Sequence, residues 1–173
     1  MLVLTTGEAG PGEVSARVEE QIAAAGILGV PRDHLFWGNL PDGRLSNHEL
    51  ELVHSIERVI KQVQAEVVYT HGSLDSHQDP RAVAEATWGA ARHARRVLCY
   101  DSPSSHSFNP SVFVDITATL EKKHDALNAH TSQVASSSMV STSLVRMQAG
   151  YRGFQARVEA AEGFMPHRLL MEV

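Results

Sequence analysis

The sequence lacks the features that mark several classes of protein. It contains one cysteine, Cys99, so no disulfide can form within the chain, which fits a reducing compartment such as the cytoplasm. Lysine and arginine form no run and the net charge is −5, which argues against nucleic-acid partners and anionic membranes. The one apolar run at the start, Met1–Leu4, is far too short for a signal peptide or a membrane span. We therefore expect one cytoplasmic domain, residues 1–173.

The chain does contain an alternation of short β-prone runs and longer segments with helical apolar spacing. Strands are expected at Leu2–Leu4, Leu35–Trp37, Val67–Tyr69, Val97–Tyr100 and Val112–Ile116. Helices are expected at Glu13–Ala25, after Ser46–Glu49, from about Pro80, at Thr117–His130 and around Leu144–Val158. This order predicts an α/β fold, with a Rossmann-like, mostly parallel sheet and helices on both of its faces.

Details of the helices depend on a few residues. Gly26 is expected to end the first helix, and Ser46 with Glu49 is expected to form a capping box. Residues 131–143 are rich in serine and threonine and are expected to form a loop. The last helix is expected to place its apolar residues in the core, namely Leu144, Met147, Tyr151, Phe154 and Val158.

One loop concentrates residues that can carry chemistry. His71, Asp75, His77 and Asp79 follow a β-prone run, which is where open α/β sheets bind ligands. Imidazoles and carboxylates are metal ligands, and two histidines with one carboxylate suffice for a site. The alternative is local, because Asp79 suits a helix N-cap and Pro80 suits the first helical position. From the residues alone both interpretations stay open.

Several segments match a known family in order and spacing. They are Leu4–Gly10, Arg17-x-x-Glu20, Val68–His71, Asp75-x-His77-Gln78-Asp79, Phe113–Thr117, Arg152-Gly153 and Ala161-Glu162-x-Phe164. In these segments the chain resembles the LmbE-like, or PIG-L, family of zinc-dependent N-acetylglucosamine deacetylases. The resemblance implies a Rossmann-like sandwich and hydrolysis of an N-acetyl group on an amino sugar.

The resemblance also implies roles for particular residues. In the family, an Ala-His-Pro-Asp-Asp-Glu motif supplies two zinc ligands and the base, and the last histidine of a His-x-Asp-His motif is the third ligand. The first histidine of that motif stabilises the oxyanion, a role that falls here on His77 as a residual catalytic position. Arg17 and Asp42 match positions that contact the sugar in relatives. An amino-sugar-like ligand is therefore expected to bind Arg17, Asp42 and His77.

The chain departs from the family pattern at the metal site. The sequence begins at the segment similar to the family's second strand, so the Ala-His-Pro-Asp-Asp-Glu motif is absent from it, and Pro80 stands at the third ligand position. Because a zinc site needs about three protein ligands, we expect no metal or other cofactor. The fallback ligands are His71, Asp75, His77 and Asp79.

Two functions follow from this pattern. The first is a degenerate, non-catalytic PIG-L-like domain that acts as a binding or assembly partner. The alternative is a zinc-dependent N-acetyl-sugar deacetylase whose metal motif comes from another chain or from a different local ligand set. Since the family's first strand lies beside the second, its loss is expected to leave an unpaired edge near Leu2–Thr5. We expect a second copy, in a homo-oligomer, or a partner chain to cover that edge.

Overall fold

The structure, a computed structural model, describes residues 1–10, 13–136 and 141–171. Its strands are β1 (Leu2–Val3), β2 (Phe36–Trp37), β3 (Val67–His71), β4 (Arg96–Tyr100), β5 (Val112–Asp115) and β6 (Ala161–Leu169). Its helices are α1 (Val14–Leu28), α2 (Glu49–Val63), α3 (Gln78–Ala90), α4 (Leu120–Asn128), α5 (Thr131–Ser136) and α6 (Thr142–Ala156). One sheet has the order β1-β2 and the other the order β3-β4-β6-β5. The predicted α/β class is confirmed.

The chain divides into two compact units, each assembled from separate stretches. Unit 1 contains Met1, Val3–Trp37 and Phe113–Glu162, and unit 2 contains Leu2, Gly38–Val112 and Gly163–Val173. Because each unit combines stretches that are distant in sequence, neither is a separate sequence domain, and the single-domain expectation stays a prediction. In the described part of the chain, no helix has the length and apolar character needed to span a membrane.

Unit 1 is built mainly from helices. Helix α1 packs against α4, which also contacts α5 and α6. These helices bury small side chains, Ala24 and Ala25 in α1 and Ala126 in α4, and small side chains let helix axes approach closely. A further core cluster consists of Ile116, Ala149 and Ala160. Alanine rather than large apolar residues therefore fills much of this unit.

Unit 2 contains the strands that end near the predicted site. β3 and β4 are parallel, with Val67 opposite Arg96 and His71 opposite Tyr100. β4 and β6 are antiparallel, with Tyr100 opposite Phe164, so the sheet is mixed. Strand β4 is the buried centre of this unit, since Val97, Leu98 and Cys99 are all buried. Helix α2 packs on α3, and α3 packs on β3.

Strand β6, which the sequence does not predict, contains a bulge. Val97 lies opposite Arg168 and Leu98 lies opposite Pro166, so His167 is an extra residue on β6. A bulge re-aims its side chain and accommodates a proline that cannot donate to the sheet. The ring of His167 stacks on Trp88 of α3, with 4.7 Å between ring centroids and an interplanar angle of 7°.

Three predicted details of local structure are wrong. Helix α1 continues through Gly26 and ends before Gly29, whose φ of 85° needs glycine. The N-cap of α2 is His48, which makes no side-chain cap bond, because Ser46 belongs to a short 3₁₀ turn; the capping box does not form. Part of the predicted 131–143 loop is helix α5, while residues 137–140 lie outside the described residues.

The predicted orientation of the last helix is also wrong. Helix α6 buries its small residues Ala149 and Gly153. Its large apolar residues are instead exposed and lie outside the core; they are Leu144, Met147, Tyr151 and Phe154. Periodicity identified the helix correctly, but it does not say which face is buried when small residues form the opposite face.

Candidate functional site

The candidate site of unit 2 is the loop between β3 and α3. Strand β3 ends at His71, whose ring lies 4.7 Å from that of Tyr100, centroid to centroid. The Nδ1 atom of His71 is buried without a hydrogen-bond partner. Burial lowers the pKa of His71, although the charge of Asp75 partly opposes this, and burial raises the pKa of Tyr100 to about 12. Both rings are therefore uncharged at neutral pH.

Asp75 is a buried carboxylate that holds the loop together. It accepts a hydrogen bond from the backbone N–H of His77 at 2.8 Å and one from the hydroxyl of Ser102 at 2.5 Å. Burial raises the pKa of Asp75, but the bonds from Ser102, His77 and Ser104 outweigh burial and leave the pKa lowered. The carboxylate oxygens of Asp75 are thus used for hydrogen bonds that stabilise the loop.

Asp79 is buried as well, and its carboxylate binds a distant turn. It accepts from the backbone N–H of Gly43 at 2.7 Å and of Leu45 at 3.1 Å. The side-chain amide of the adjacent Gln78 donates to the carbonyl of Gly43. This pair of residues fastens the turn that follows Asp42 to the first turn of α3.

His77 caps α3, so the interpretation in which Asp79 is the N-cap is wrong. The His77 Nδ1 atom accepts from the backbone N–H of Asp79 at 3.1 Å, and Pro80 is the third helical residue rather than the first. The carboxylate of Asp79 cannot cap because it is turned to Gly43 and Leu45. With Nδ1 as acceptor, a neutral His77 carries its proton on Nε2, and its exposed ring can donate that proton to a ligand.

The residues of this loop do not fit a zinc ion. Within residues 1–10, 13–136 and 141–171, no three His, Cys, Asp or Glu side chains come together as a metal-binding group. The carboxylates of the fallback set are engaged by N–H and hydroxyl donors, and Pro80 has no donor atom. A zinc site needs about three protein ligands, and the fallback set is not brought together to supply them.

Arg17 lies in unit 1, against the loop that follows β1. Its guanidinium donates to the carbonyl of Gly7. A Cβ atom at Gly7 would lie 2.5 Å from Nη1 of Arg17, and one at Gly10 would lie 2.6 Å from Nη2. The two glycines therefore make room for the guanidinium. Nearby in sequence, Glu20 accepts hydrogen bonds from Thr131 at 2.7 Å and from the backbone N–H of Ser132 at 2.8 Å.

Two of the three predicted sugar-binding residues, Asp42 and His77, lie in unit 2. The bonds from Gly43 and Leu45 to the Asp79 carboxylate, which we call the Asp79 clamp, hold the turn next to Asp42 against α3. Because His77 caps α3, the predicted residues Asp42 and His77 belong to neighbouring segments. Arg17 belongs to unit 1. The convergence of Arg17, Asp42 and His77 on one ligand stays a prediction, as does the residual catalytic position of His77.

A cavity of about 180 Å³ also opens in unit 2, beside the loop that follows β3. Its lining includes Gly72, Leu74, Trp88, Cys99, Phe108 and His167. Burial raises the pKa of the Cys99 thiol, which stays protonated at neutral pH. Neither this cavity nor the Ser102 contact is predicted by the sequence, although the serine-rich loop around Ser102 marks a region suited to side-chain hydrogen bonds.

Comparisons with known proteins agree with this architecture. A relative, the uncharacterized deacetylase YaiS of Escherichia coli (strain K12), is 35% identical over 122 residues, 66% of this chain and 64% of the relative. The match thus spans less than two thirds of that relative's length. A conserved protein of Thermus thermophilus superposes with a TM-score of 0.82 at 26% identity, over 99% of this chain and 82% of that one.

A second solved structure shows the same fold at lower identity. The N,N'-diacetylchitobiose deacetylase of Pyrococcus horikoshii superposes with a TM-score of 0.78 at 19% identity, over 95% of this chain and 71% of that one. A family model described as PIG-L, GlcNAc-PI de-N-acetylase, matches residues 1–91, just over half of the 173 residues. The chain therefore belongs to the PIG-L family, a family of deacetylase-like proteins.

Proposed function

We propose that this chain, by itself, is an amino-sugar-binding domain of the PIG-L fold that does not hydrolyse its ligand. The observation that carries the proposal is the buried carboxylate of Asp79, which binds the backbone N–H groups of Gly43 and Leu45. The segment similar to the family's His-x-Asp-His motif thus acts as a structural clamp. Pro80 takes the place of a metal ligand and offers no donor atom.

The ligand class follows from the family and from the donors that the chain offers. The family description and the chitobiose deacetylase both name N-acetylated amino sugars. Arg17 offers guanidinium N–H donors, Asp42 offers a carboxylate and His77 offers an Nε2 proton. Such a set suits the hydroxyl and acetamido groups of an N-acetylglucosamine unit.

The setting and partners of the domain are part of the proposal. The single thiol, Cys99, is buried, which fits a reducing compartment such as the cytoplasm. Among the described residues the sheet β1-β2 has two strands, and a second copy or a partner chain at its edge would supply the hydrogen bonds of a further strand.

A second candidate function is a zinc-dependent deacetylase that receives its metal motif from another chain. Two facts favour it, namely the family membership and the exposed His77 ring, whose Nε2 proton could stabilise an oxyanion. In that case zinc would appear only with the second chain, or through ligands other than the loop carboxylates that are already engaged.

The two functions differ in metal content and in amine release. The purified chain and its Pro80→His variant are analysed for zinc by mass spectrometry, and both are assayed for amine release from N-acetylglucosamine derivatives. We expect no stoichiometric zinc and no amine release from either protein, because one added histidine leaves the site short of about three ligands. One zinc per chain with zinc-dependent amine release would establish the second function.

Ligand binding is tested separately, by titrating N-acetylglucosamine and glucosamine into isotope-labelled protein and following chemical shifts. We expect shifts near Arg17, Asp42 and His77 with the acetylated sugar, and weaker shifts in the Arg17→Met variant. An absence of shifts at a large excess of sugar would overturn the binding function while leaving the zinc result unaffected.

A further inference from the structure

Helix α6 carries an exposed apolar stripe, which we call the α6 seam and define as Leu144, Met147, Tyr151 and Phe154. These side chains are 51%, 67%, 58% and 72% exposed, respectively. Together they expose roughly 500 Å² of surface, most of it apolar. That is as large as the largest apolar patch of a typical monomer, and patches of this size often mark interaction sites.

The spacing of the α6 seam is that of a helix pair. Successive members lie three, four and three residues apart, which is the a-d-a-d pattern of two heptads. A stripe with this spacing stays on one line along a helix and fits side by side with a second helix of the same kind. The seam is therefore shaped for another helix rather than for a small molecule.

We propose that the α6 seam joins two copies of this chain in a symmetric dimer with antiparallel α6 helices. The spacing of three, four and three residues reads the same in both directions. A two-fold axis beside the middle of the helix therefore places Leu144 opposite Phe154 of the second copy, and Met147 opposite Tyr151 of the second copy. Thioether–aromatic contacts of that kind are favourable.

The positions that flank the α6 seam allow two identical helices to meet. At the e and g positions of the heptads the chain has Ser143, Gln148, Gly150 and Gln155, none of which is charged. A second copy therefore meets no like charge there, whereas like-charge pairs would oppose self-association. Space for a Cβ atom is open around Gly150, so the backbones can approach closely at this point.

The charged residues of α6 lie off the seam. Arg146 is bound to Glu121 of α4 at 2.6 Å, within the same unit. Arg152 interacts with Gln155 at 3.0 Å, and its guanidinium carbon lies 5.6 Å from the centre of the Tyr151 ring. A guanidinium over one face of an aromatic ring remains compatible with burial of the opposite ring face.

The area sets the expected strength. If each copy buries roughly 500 Å² of the α6 seam, the pair buries about 1,000 Å², which is at the lower limit for a specific interface. We therefore expect a reversible dimer with a dissociation constant in the micromolar range rather than an obligate one. This proposal does not depend on the sugar ligand or on zinc.

The first test follows the mass of the full chain by sedimentation velocity from about 1 to about 100 µM. We expect a shift from monomer to dimer over this range. Met147→Gln and Phe154→Gln should each raise the dissociation constant about tenfold or more, because two-fold symmetry removes each contact twice. Leu50→Gln is the matched control, since Leu50 is 64% exposed on α2 and lies outside the seam.

The second test checks the antiparallel geometry by charge pairing. Leu144→Lys alone and Phe154→Glu alone should abolish dimerisation, because each buries a charge without a partner. The double variant should recover the dimer, since the antiparallel pair sets each lysine opposite a glutamate. In a parallel pair the same substitutions would set like charges opposite each other.

The outcomes separate the proposal from its competitors. A chain that stays monomeric at about 100 µM would overturn it. A dimer that survives Met147→Gln and Phe154→Gln would also overturn it, and would place self-association elsewhere, such as at the edge of the β1-β2 sheet. Failure of the double variant to recover the dimer, with both single variants folded by circular dichroism, would overturn the antiparallel arrangement.

Discussion

The carboxylate of Asp79 lies 2.7 Å from the backbone nitrogen of Gly43 and fastens the turn beside Asp42 to the start of α3. The two residues are 36 positions apart in sequence. A buried carboxylate that accepts two backbone N–H bonds keeps its charge compensated without a metal ion. The segment that resembles a metal-binding motif therefore contributes to folding, and its substitution should affect stability.

The clamp can be measured directly by replacing Asp79. Asp79→Ala leaves two backbone donors without partners, and it should lower the free energy of unfolding by about 2 to 3 kcal/mol. The measurement is urea denaturation followed by circular dichroism. Glu85→Gln is the control on the exposed face of the same helix and should change stability by no more than about 0.5 kcal/mol. Equal effects of the two substitutions would mean that the clamp contributes nothing.

Two glycines of α6 should respond to the same substitution in opposite ways. A Cβ atom at Gly153 would lie 2.5 Å from the backbone carbonyl oxygen of Glu159, whereas a Cβ atom at Gly150 would have no other atom within 4 Å. Gly153→Ala should therefore destabilise the chain by about 1 kcal/mol or more. Gly150→Ala should stabilise it by about 0.5 to 1 kcal/mol through helix propensity. Thermal denaturation at low protein concentration measures both, and the same sign for both would contradict the packing at Glu159.

The elements with strong local patterns could be predicted from the sequence. Strand β4 combines Val97, Leu98 and Cys99 in one apolar run, and α2 repeats Leu52 and Ile56 on one face; all five side chains are buried. Such patterns depend only on neighbours in the chain. The observed bounds of these elements differ from the predicted ones by a few residues, because caps and turns depend on tertiary contacts that the sequence does not show.

Strand β6 and the orientation of α6 could not be predicted, for two physical reasons. Pro166 and the charged or polar residues beside it give β6 a weak strand signal, and the bulge at His167 breaks its period of two. In α6 the small face, with Ala149 and Gly153, is the buried one. A rule that places large apolar residues in the core therefore selected the wrong face.

The candidate site was predictable in its residue types and its place, but not in its pairings. The segment from the end of β3 to the first turn of α3 holds all four residues, with His71 at the end of β3, Asp75 and His77 in the loop, and Asp79 in α3. The carboxylates of Asp75 and Asp79, however, have partners that are far away in sequence, namely the Ser102 hydroxyl and the backbone N–H of Gly43. Asp79 suited an N-cap in the sequence because nothing there shows that its carboxylate binds the backbone of another segment.

Glu20 should make the stability of unit 1 depend on pH. The hydrogen bond from Thr131 lowers the pKa of Glu20 below its ordinary value of 4.5, and bonds from Ser132 and the charge of His130 act in the same direction, while burial opposes them. A carboxylate with a lowered pKa contributes stability above about pH 4.5, and the contribution is lost as pH falls through the lowered pKa. Glu20→Gln should thus cost no more than about 1 kcal/mol at pH 7, since solvent screens a partly exposed group.

The pH dependence is checked by urea denaturation of the unmodified chain and Glu20→Gln between neutral pH and acid. The difference in the free energy of unfolding should be largest at neutral pH and should vanish in acid. Glu19→Gln is the control, because Glu19 is the exposed neighbour on α1. A difference that grows in acid would contradict the direction of the Glu20 pKa.

The seat of Arg17 offers a test of ligand binding that leaves Arg17 itself in place. In Gly10→Ala the new Cβ would lie 2.6 Å from Nη2 of Arg17, and the flexible end of that side chain can move away at little cost in stability. If Arg17 binds the sugar, Gly10→Ala should weaken the affinity for N-acetylglucosamine about tenfold with little change in unfolding free energy. Gly26→Ala, where a Cβ meets open space, should leave the affinity unchanged.

Because Gly10→Ala and Arg17→Met act through the same guanidinium, Gly10→Ala should add nothing in an Arg17→Met background. A further loss in the double variant, measured by the same chemical-shift titration, would show that the loop contacts the ligand without Arg17.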